Sequence, residues 1–129
     1  MLVLDASVLA PVVADSGRDG VRFRDRLRGE VVAGPDLLRV EVVSVLRRHA
    51  HTGHLTADQA DAAISDLTAF PIMVFPTAPL LRRVWELRQN LTAYDACYVA
   101  LAEAVDTTFV TADRRLTTAP GLRCAVEVL

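Results

Sequence analysis

An α/β domain, with a central parallel sheet and helices on both faces in three layers, is the fold this sequence predicts. Three observations point to it. Short apolar runs of strand length alternate with longer stretches of helical pattern, the arrangement a parallel sheet with crossover helices requires. The first of these runs is apolar on both faces, as a strand covered from both sides must be. Hydrophobic residues make up 52% of the chain and aromatics only 5%, so the core is aliphatic. The 129 residues suffice to bury it as one domain, residues 1–129, without disulfides or a structural metal.

The elements follow in order. Leu2-Val3-Leu4 reads as the first strand, and Val31-Val32-Ala33 as the second. Between them Arg22, Arg24, Arg26 and Arg28 interleave with Asp25 near Asp19 and Glu30, the pattern of an exposed helix. Asp36 is placed to cap a helix from Leu37 to about His51. Thr56 with Gln59 forms a capping box for a helix to about Ala69. Ile72 to Phe75 is the third strand. Pro79 suits the first turn of a helix ending near Asn90, and Thr92 caps another that extends to about Val105. Thr107 to Val110 and Ala125 to Val128 complete the sheet.

The formal net charge is −2, and all 14 basic residues are arginine. A near-balanced charge gives no global argument for a nucleic-acid partner, so a polyanion needs a local patch or a metal. The absence of lysine excludes a phosphate-binding P-loop and Schiff-base chemistry, and argues against a phosphoacceptor receiver domain. No Gly-x-Gly-x-x-Gly is present for a dinucleotide. A haloacid-type phosphatase needs a second aspartate two positions after the first, and Ser7 stands there. Cys97 and Cys124 have no metal-binding or redox spacing and read as buried free thiols. No stretch is long and apolar enough to span a bilayer, and the N-terminus lacks a basic leader. The expectation is a soluble, cytoplasmic protein.

Four acids stand out. In open parallel sheets, sites form beyond the carboxyl ends of strands where the strand order reverses. Asp5 directly follows the first strand and Asp113 lies shortly after the fourth, so both face one crevice if those strands are neighbours. Glu41 has Leu37, Leu38 and Val45 at i−4, i−3 and i+4, which puts it on or beside an apolar stripe. Ser44, at i+3, is a small polar neighbour able to orient it. Asp95 opens the nearly all-apolar run Asp95 to Ala102. Each has a plainer reading: Asp5 as a strand-ending turn residue, Glu41 paired with Arg39 or Arg48, Asp95 in a Thr-x-x-Asp cap with Thr92, Asp113 in a short helix capped by Thr111. Together, four carboxylates at one rim repel each other, and a divalent cation relieves that repulsion. An all-oxygen donor set selects magnesium or manganese over zinc, and phosphodiester hydrolysis is the reaction it serves.

Val3-Leu4-Asp5-Ala6-Ser7, the run Glu41 to Arg48, Leu91 to Ala102 and Val110 to Leu116 resemble, in this order and spacing, the four acidic motifs of PIN-domain ribonucleases. The size and the Tyr94-Asp95-Ala96 form resemble the VapC-type toxins of bacterial toxin–antitoxin pairs. The resemblance implies an α/β/α PIN fold and magnesium or manganese held by Asp5, Glu41, Asp95 and Asp113. In that family Asp5 and Asp95 are the most direct ligands, with the Ser7 and Thr111 hydroxyls steadying the carboxylates. It further implies endoribonuclease activity on RNA, homodimerisation and a small cognate antitoxin. Ser44 stands where the family more often carries Asn. A catalytically silent PIN-like module that binds RNA or protein is the alternative.

Three further features carry competing readings. Arg114 and Arg115 are candidates for phosphate contact, or a solvated charged surface. His49, His51 and His54 lack the i, i+4 pair of a helical zinc site and fit a helix C-terminal turn. Leu81 and Trp85, at i and i+4, read as core packing, with dimer or antitoxin contact as the sharper alternative.

Overall fold

The computed structural model describes residues 1–129. Five strands, β1 (Leu2–Leu4), β2 (Val32–Pro35), β3 (Met73–Phe75), β4 (Thr108–Thr111) and β5 (Val126–Val128), form one sheet in the order β3-β2-β1-β4-β5. All pairings are parallel. Six α-helices connect them: α1 (Ala6–Ala14), α2 (Arg18–Arg26), α3 (Leu38–His51), α4 (Ala57–Ala69), α5 (Leu81–Glu86) and α6 (Ala93–Ala104), with 3-10 turns at Ala78–Leu80 and Arg114–Thr118.

The strand order places the helices. The chain steps outward from β1 to β2 to β3, then returns across the sheet to β4. Parallel crossovers are right-handed, so the outward and returning connections cover opposite faces. Accordingly α1 packs against α2, α3 and α4, while α5 packs on α6 and α6 lies on β1, β2 and β4. This is the expected α/β/α sandwich. No helix is long and apolar enough to cross a membrane.

The sheet's centre is set by burial. Every residue of β1 is buried, whereas β3 at the edge exposes Met73 and Val74. Residues Ala96 to Ala102 of α6 are buried on all sides, because α6 is covered by both the sheet and α5. Tyr98 stacks on Phe109 with ring centroids 6.0 Å apart and planes 7° from parallel.

Several local expectations shift. The second strand runs two residues further than the apolar run, because Gly34 and Pro35 pair with Val74 and Phe75. Asp36 does not cap α3: its backbone N–H is donated to the Phe75 carbonyl, and α3 starts from Leu37 with no side-chain cap. The helix expected from Pro79 to Asn90 is a 3-10 turn followed by the six residues of α5. The Leu81 and Trp85 core reading fails: Trp85 is 63% exposed, and Arg88 lies over its ring at 4.6 Å. The Thr56–Gln59 capping box and the Thr92 cap are both formed.

Helix α1 is the element the residue pattern did not announce. Ala6–Ala14 contains Pro11 and a run of valines, both unfavourable for a helix interior in isolation. It forms because Asp5 caps it and because Val8, Leu9, Ala10 and Val12 are buried; tertiary burial overrides propensity.

The turn from α1 into α2 is tight. A Cβ on Gly20 would lie 1.9 Å from the Asp15 carbonyl oxygen, a backbone atom. Gly20→Ala is therefore expected to destabilise the fold by about 2–3 kcal/mol through forced backbone displacement, measured as a lower urea midpoint at unchanged slope.

Candidate functional site

Strands β1 and β4 are neighbours, so the reversal of strand order falls between them and their carboxyl ends open a crevice. The Asp5 N–H is donated to the Val110 carbonyl, which fixes the residue at the β1 exit. Its carboxylate then does two jobs. Oδ1 accepts the Ser7 backbone N–H at 3.0 Å and the Ser7 hydroxyl at 2.5 Å, and so caps α1. Oδ2 accepts the Thr111 hydroxyl at 2.5 Å. The hydroxyls are themselves anchored: the Ala112 N–H is donated to Ser7 Oγ at 2.8 Å and the Asp113 N–H to Thr111 Oγ1 at 3.0 Å. Main-chain donors at the β4 exit thus orient two hydroxyls, and these orient Asp5.

Asp5 is 6% exposed and Thr111 fully buried. Burial pushes the Asp5 carboxyl above its ordinary range, against the opposing pull of the Ser7 and Thr111 hydrogen bonds. No positive partner is bonded to it.

Glu41 comes from α3 and Asp95 from the first turn of α6. Neither Arg39 nor Arg48 pairs with Glu41; Arg39 instead donates to the Phe70 carbonyl. Glu41 Oε1 is buried with no hydrogen-bond partner, as is the Tyr98 hydroxyl that faces it without closing a good hydrogen bond. Desolvation first, then the nearby Asp95 and Asp5 charges, raise the Glu41 carboxyl. Burial, with the Asp113 charge, raises Asp95 as well. Desolvation beside Glu41 and Asp5 also pushes the Tyr98 phenol upward. Ser44 is exposed and forms no hydrogen bond to Glu41.

Asp113 differs. Its carboxylate accepts from the Arg115 backbone N–H, from Nε at 2.9 Å and from Nη2 at 2.6 Å, and this guanidinium holds it below the usual carboxylate range. Asp113, not Thr111, caps the turn Arg114–Thr118. Arg114 is exposed and lines no cavity beside the acids, whereas Arg115 lines one with Asn90, Thr92, Asp95 and Asp113.

The topology brings all four predicted acids together. Asp5, Glu41, Asp95 and Asp113 line one open cavity of about 390 Å³. They do not form a ready-made cage, since no three acidic, histidine or cysteine side chains cluster tightly enough to enclose an ion. The Asp113 carboxylate is engaged by the Arg115 guanidinium. The donor chemistry nevertheless fits a hard cation: every acid offers oxygen, and the buried Glu41 Oε1 has no other partner. Arg48 and His49 also line this cavity, and only their helical phase could have revealed them: Glu41, Val45, Arg48 and His49 fall at i, i+4, i+7 and i+8 on one face of α3.

Comparison with known proteins agrees with this fold. The PIN domain family model matches residues 2–122. The chain is 37% identical to Ribonuclease VapC1 of Mycobacterium tuberculosis over 98% of its own length and 96% of the relative's. Among solved structures, PAE2754 from Pyrobaculum aerophilum superposes with a TM-score of 0.71 at 25% identity, covering 98% of this chain and 83% of that one. A chain of a toxin–antitoxin complex from Klebsiella pneumoniae shares the fold, with a TM-score of 0.66 at 19% identity over 93% of each chain. With the motifs in order, the topology in place and the match spanning nearly every residue, the chain belongs to the PIN-domain family, among the VapC ribonucleases.

Proposed function

We propose that this protein is a divalent-metal-dependent endoribonuclease that serves as the toxin of a toxin–antitoxin pair, cutting RNA phosphodiester bonds in the cytoplasm. One observation supports it above the others: four carboxylates from four separate segments line a single cavity, and a buried oxygen of one of them has no partner. A solvated surface does not bury an uncompensated carboxylate, and a catalytically silent binding module has no use for one.

Asp5, Glu41, Asp95 and Asp113 would hold magnesium, with manganese as a substitute, Asp5 and Asp95 most directly. When bound, the cation supplies charge neutralisation at the phosphodiester and Lewis-acid activation of water. The protein's own part is orientation. Ser7 and Thr111 aim both oxygens of Asp5, so its position costs no reorganisation when substrate arrives. Thr92 fixes the first turn of α6 through the Asp95 N–H and with it the base of the Asp95 side chain. Arg48 and Arg115 flank the acids and are the groups that meet the RNA phosphates. Arg114, turned to solvent, contributes only long-range attraction.

The cognate antitoxin is expected to cover this rim, in keeping with the fold shared with a toxin–antitoxin complex. Exposed Leu81 and Trp85 on α5 supply apolar area for the homodimer that the family resemblance implies.

Cleavage of labelled single-stranded RNA with magnesium or manganese, abolished by chelation and by Asp5→Asn, tests the reading. Chelator-resistant cleavage shared by wild type and variant would mark a contaminant. Arg115→Ala separates the two roles of its guanidinium. Freed Asp113 binds the cation more tightly, so half-activation needs less metal, while KM for RNA rises about tenfold for the lost charged contact. Titration of rate against metal and against RNA reads both.

A further inference from the structure

The wall of the acidic cavity continues past Arg48. Ala10, Pro11 and His49 are shared with a second cavity of about 320 Å³, completed by Ala14, Asp15, Ser16, His54, Leu55 and Gln59. Its chemistry is unlike that of its neighbour. No arginine lines it, and its one carboxylate, on Asp15, is occupied by the N–H groups of Gly17 and Gly20. A phosphate has no guanidinium to meet there. Ala10, Pro11, Ala14 and Leu55 give it an aliphatic lining, and the half-buried His49 and exposed His54 rings join them, with centroids 5.8 Å apart and planes tilted by 43°. Thr52 Oγ1 bonds His54 Nδ1 at 2.6 Å, which holds that ring. The Gln59 side-chain carbonyl accepts the Thr56 N–H, which leaves its amide NH2 free to donate.

We infer that this annex is a base-binding subsite of the RNA channel. It receives the base of one unstacked nucleotide next to the scissile bond, while the phosphate stays at the Arg48 junction. The inference rests on the ribonuclease reading above. Flat rings beside an aliphatic lining are what an unstacked base packs against, and the free amide and the ring nitrogens can read its edge. The volume suits one base and sugar, not a paired helix. RNA is therefore engaged as a single strand, with sequence preference at one fixed position relative to the cut.

The test uses the full-length protein, a randomised single-stranded RNA pool and manganese, with sequencing of the cleaved ends. His54 lines the annex and not the acidic cavity, so His54→Ala is expected to leave metal-dependent cleavage in place. It flattens base preference at one position by about fivefold to tenfold, the weight of a lost stacking contact. Ser16→Trp, at an exposed residue on the annex wall, fills the space and raises KM by about tenfold. A base profile and KM unchanged in both variants, with wild-type cleavage intact, overturns the subsite and leaves the ribonuclease reading standing. No cleavage by the wild type with any divalent ion overturns both.

Discussion

Asp95→Asn lowers kcat/KM for RNA cleavage by about a hundredfold to a thousandfold, the scale for losing one preorganised charge at a reacting centre, and it does so without unfolding the protein. The neighbour of the Asp95 carboxylate is the Thr92 hydroxyl, and the helix cap itself is made by the Asp95 backbone N–H, donated to Thr92 Oγ1, which the substitution keeps. Removing a half-buried negative charge next to Asp113 and Glu41 also relieves repulsion. Expression of the wild type alone is expected to arrest growth, and Asp95→Asn to release it. Asp5→Asn loses activity equally but with a different stability signature. Both Asp5 oxygens accept hydroxyls, and an amide nitrogen can accept neither, so one of Ser7 and Thr111 loses its acceptor at about 1 kcal/mol or more. Rate and urea midpoint measured on the same two variants separate these effects. If Asp95→Asn kept more than about a tenth of the rate, the acid would lie outside the set that holds the cation.

The contrast between these aspartates also shows what was legible in the sequence. Strand-terminal position alone placed Asp5 and Asp113 at the switch point, because parallel strands order their carboxyl ends at one rim and β1 and β4 are neighbours. Helical phase placed Glu41 against the apolar face of α3, and cap chemistry placed α4 and α6. What pattern could not supply was the competition for shared groups. Asp36 offered a cap, but α3 starts one residue later, from Leu37 with no side-chain cap, while the Asp36 N–H pairs with the Phe75 carbonyl at the β3 exit. The Pro11-bearing α1 reads poorly as a helix until its apolar face is buried and Asp5 satisfies its first turn. Leu81 and Trp85 have core spacing, yet α5 lasts only six residues and turns Val84 inward in their place. Arg115 and Asp113 are two residues apart, but only a 3-10 turn folds the guanidinium back onto that carboxylate. The four acids could be named from local pattern; which was fixed by hydroxyls, orphaned or captured by arginine is a tertiary fact.

Glu41→Gln is expected to raise stability at neutral pH while lowering kcat/KM by about a hundredfold. The protein carries the Glu41 charge at a cost. Folding raises the carboxyls of Glu41, Asp5 and Asp95, chiefly by burial, so the folded chain keeps protons that the unfolded chain has already released. Stability therefore falls as pH climbs from the ordinary carboxylate range through the raised values, and the penalty is complete above them. Asp113, Glu103 and Glu127 act oppositely: arginine partners lower their carboxyls, and the stability they contribute is lost as pH falls below the ordinary range. The melting temperature should then peak in mildly acidic buffer and decline toward neutrality. Glutamine at position 41 removes part of the decline and presents both a donor and an acceptor to the Tyr98 hydroxyl, raising the neutral-pH melting temperature by roughly 3 °C for about 1 kcal/mol. Magnesium or manganese relieves the same repulsion from outside, so either ion should stabilise the wild type at neutral pH and stabilise Glu41→Gln far less. Thermal scans with and without metal across this pH range provide the check. A variant melting below the wild type at neutral pH would mean that the buried oxygen serves the fold instead of waiting for a cation.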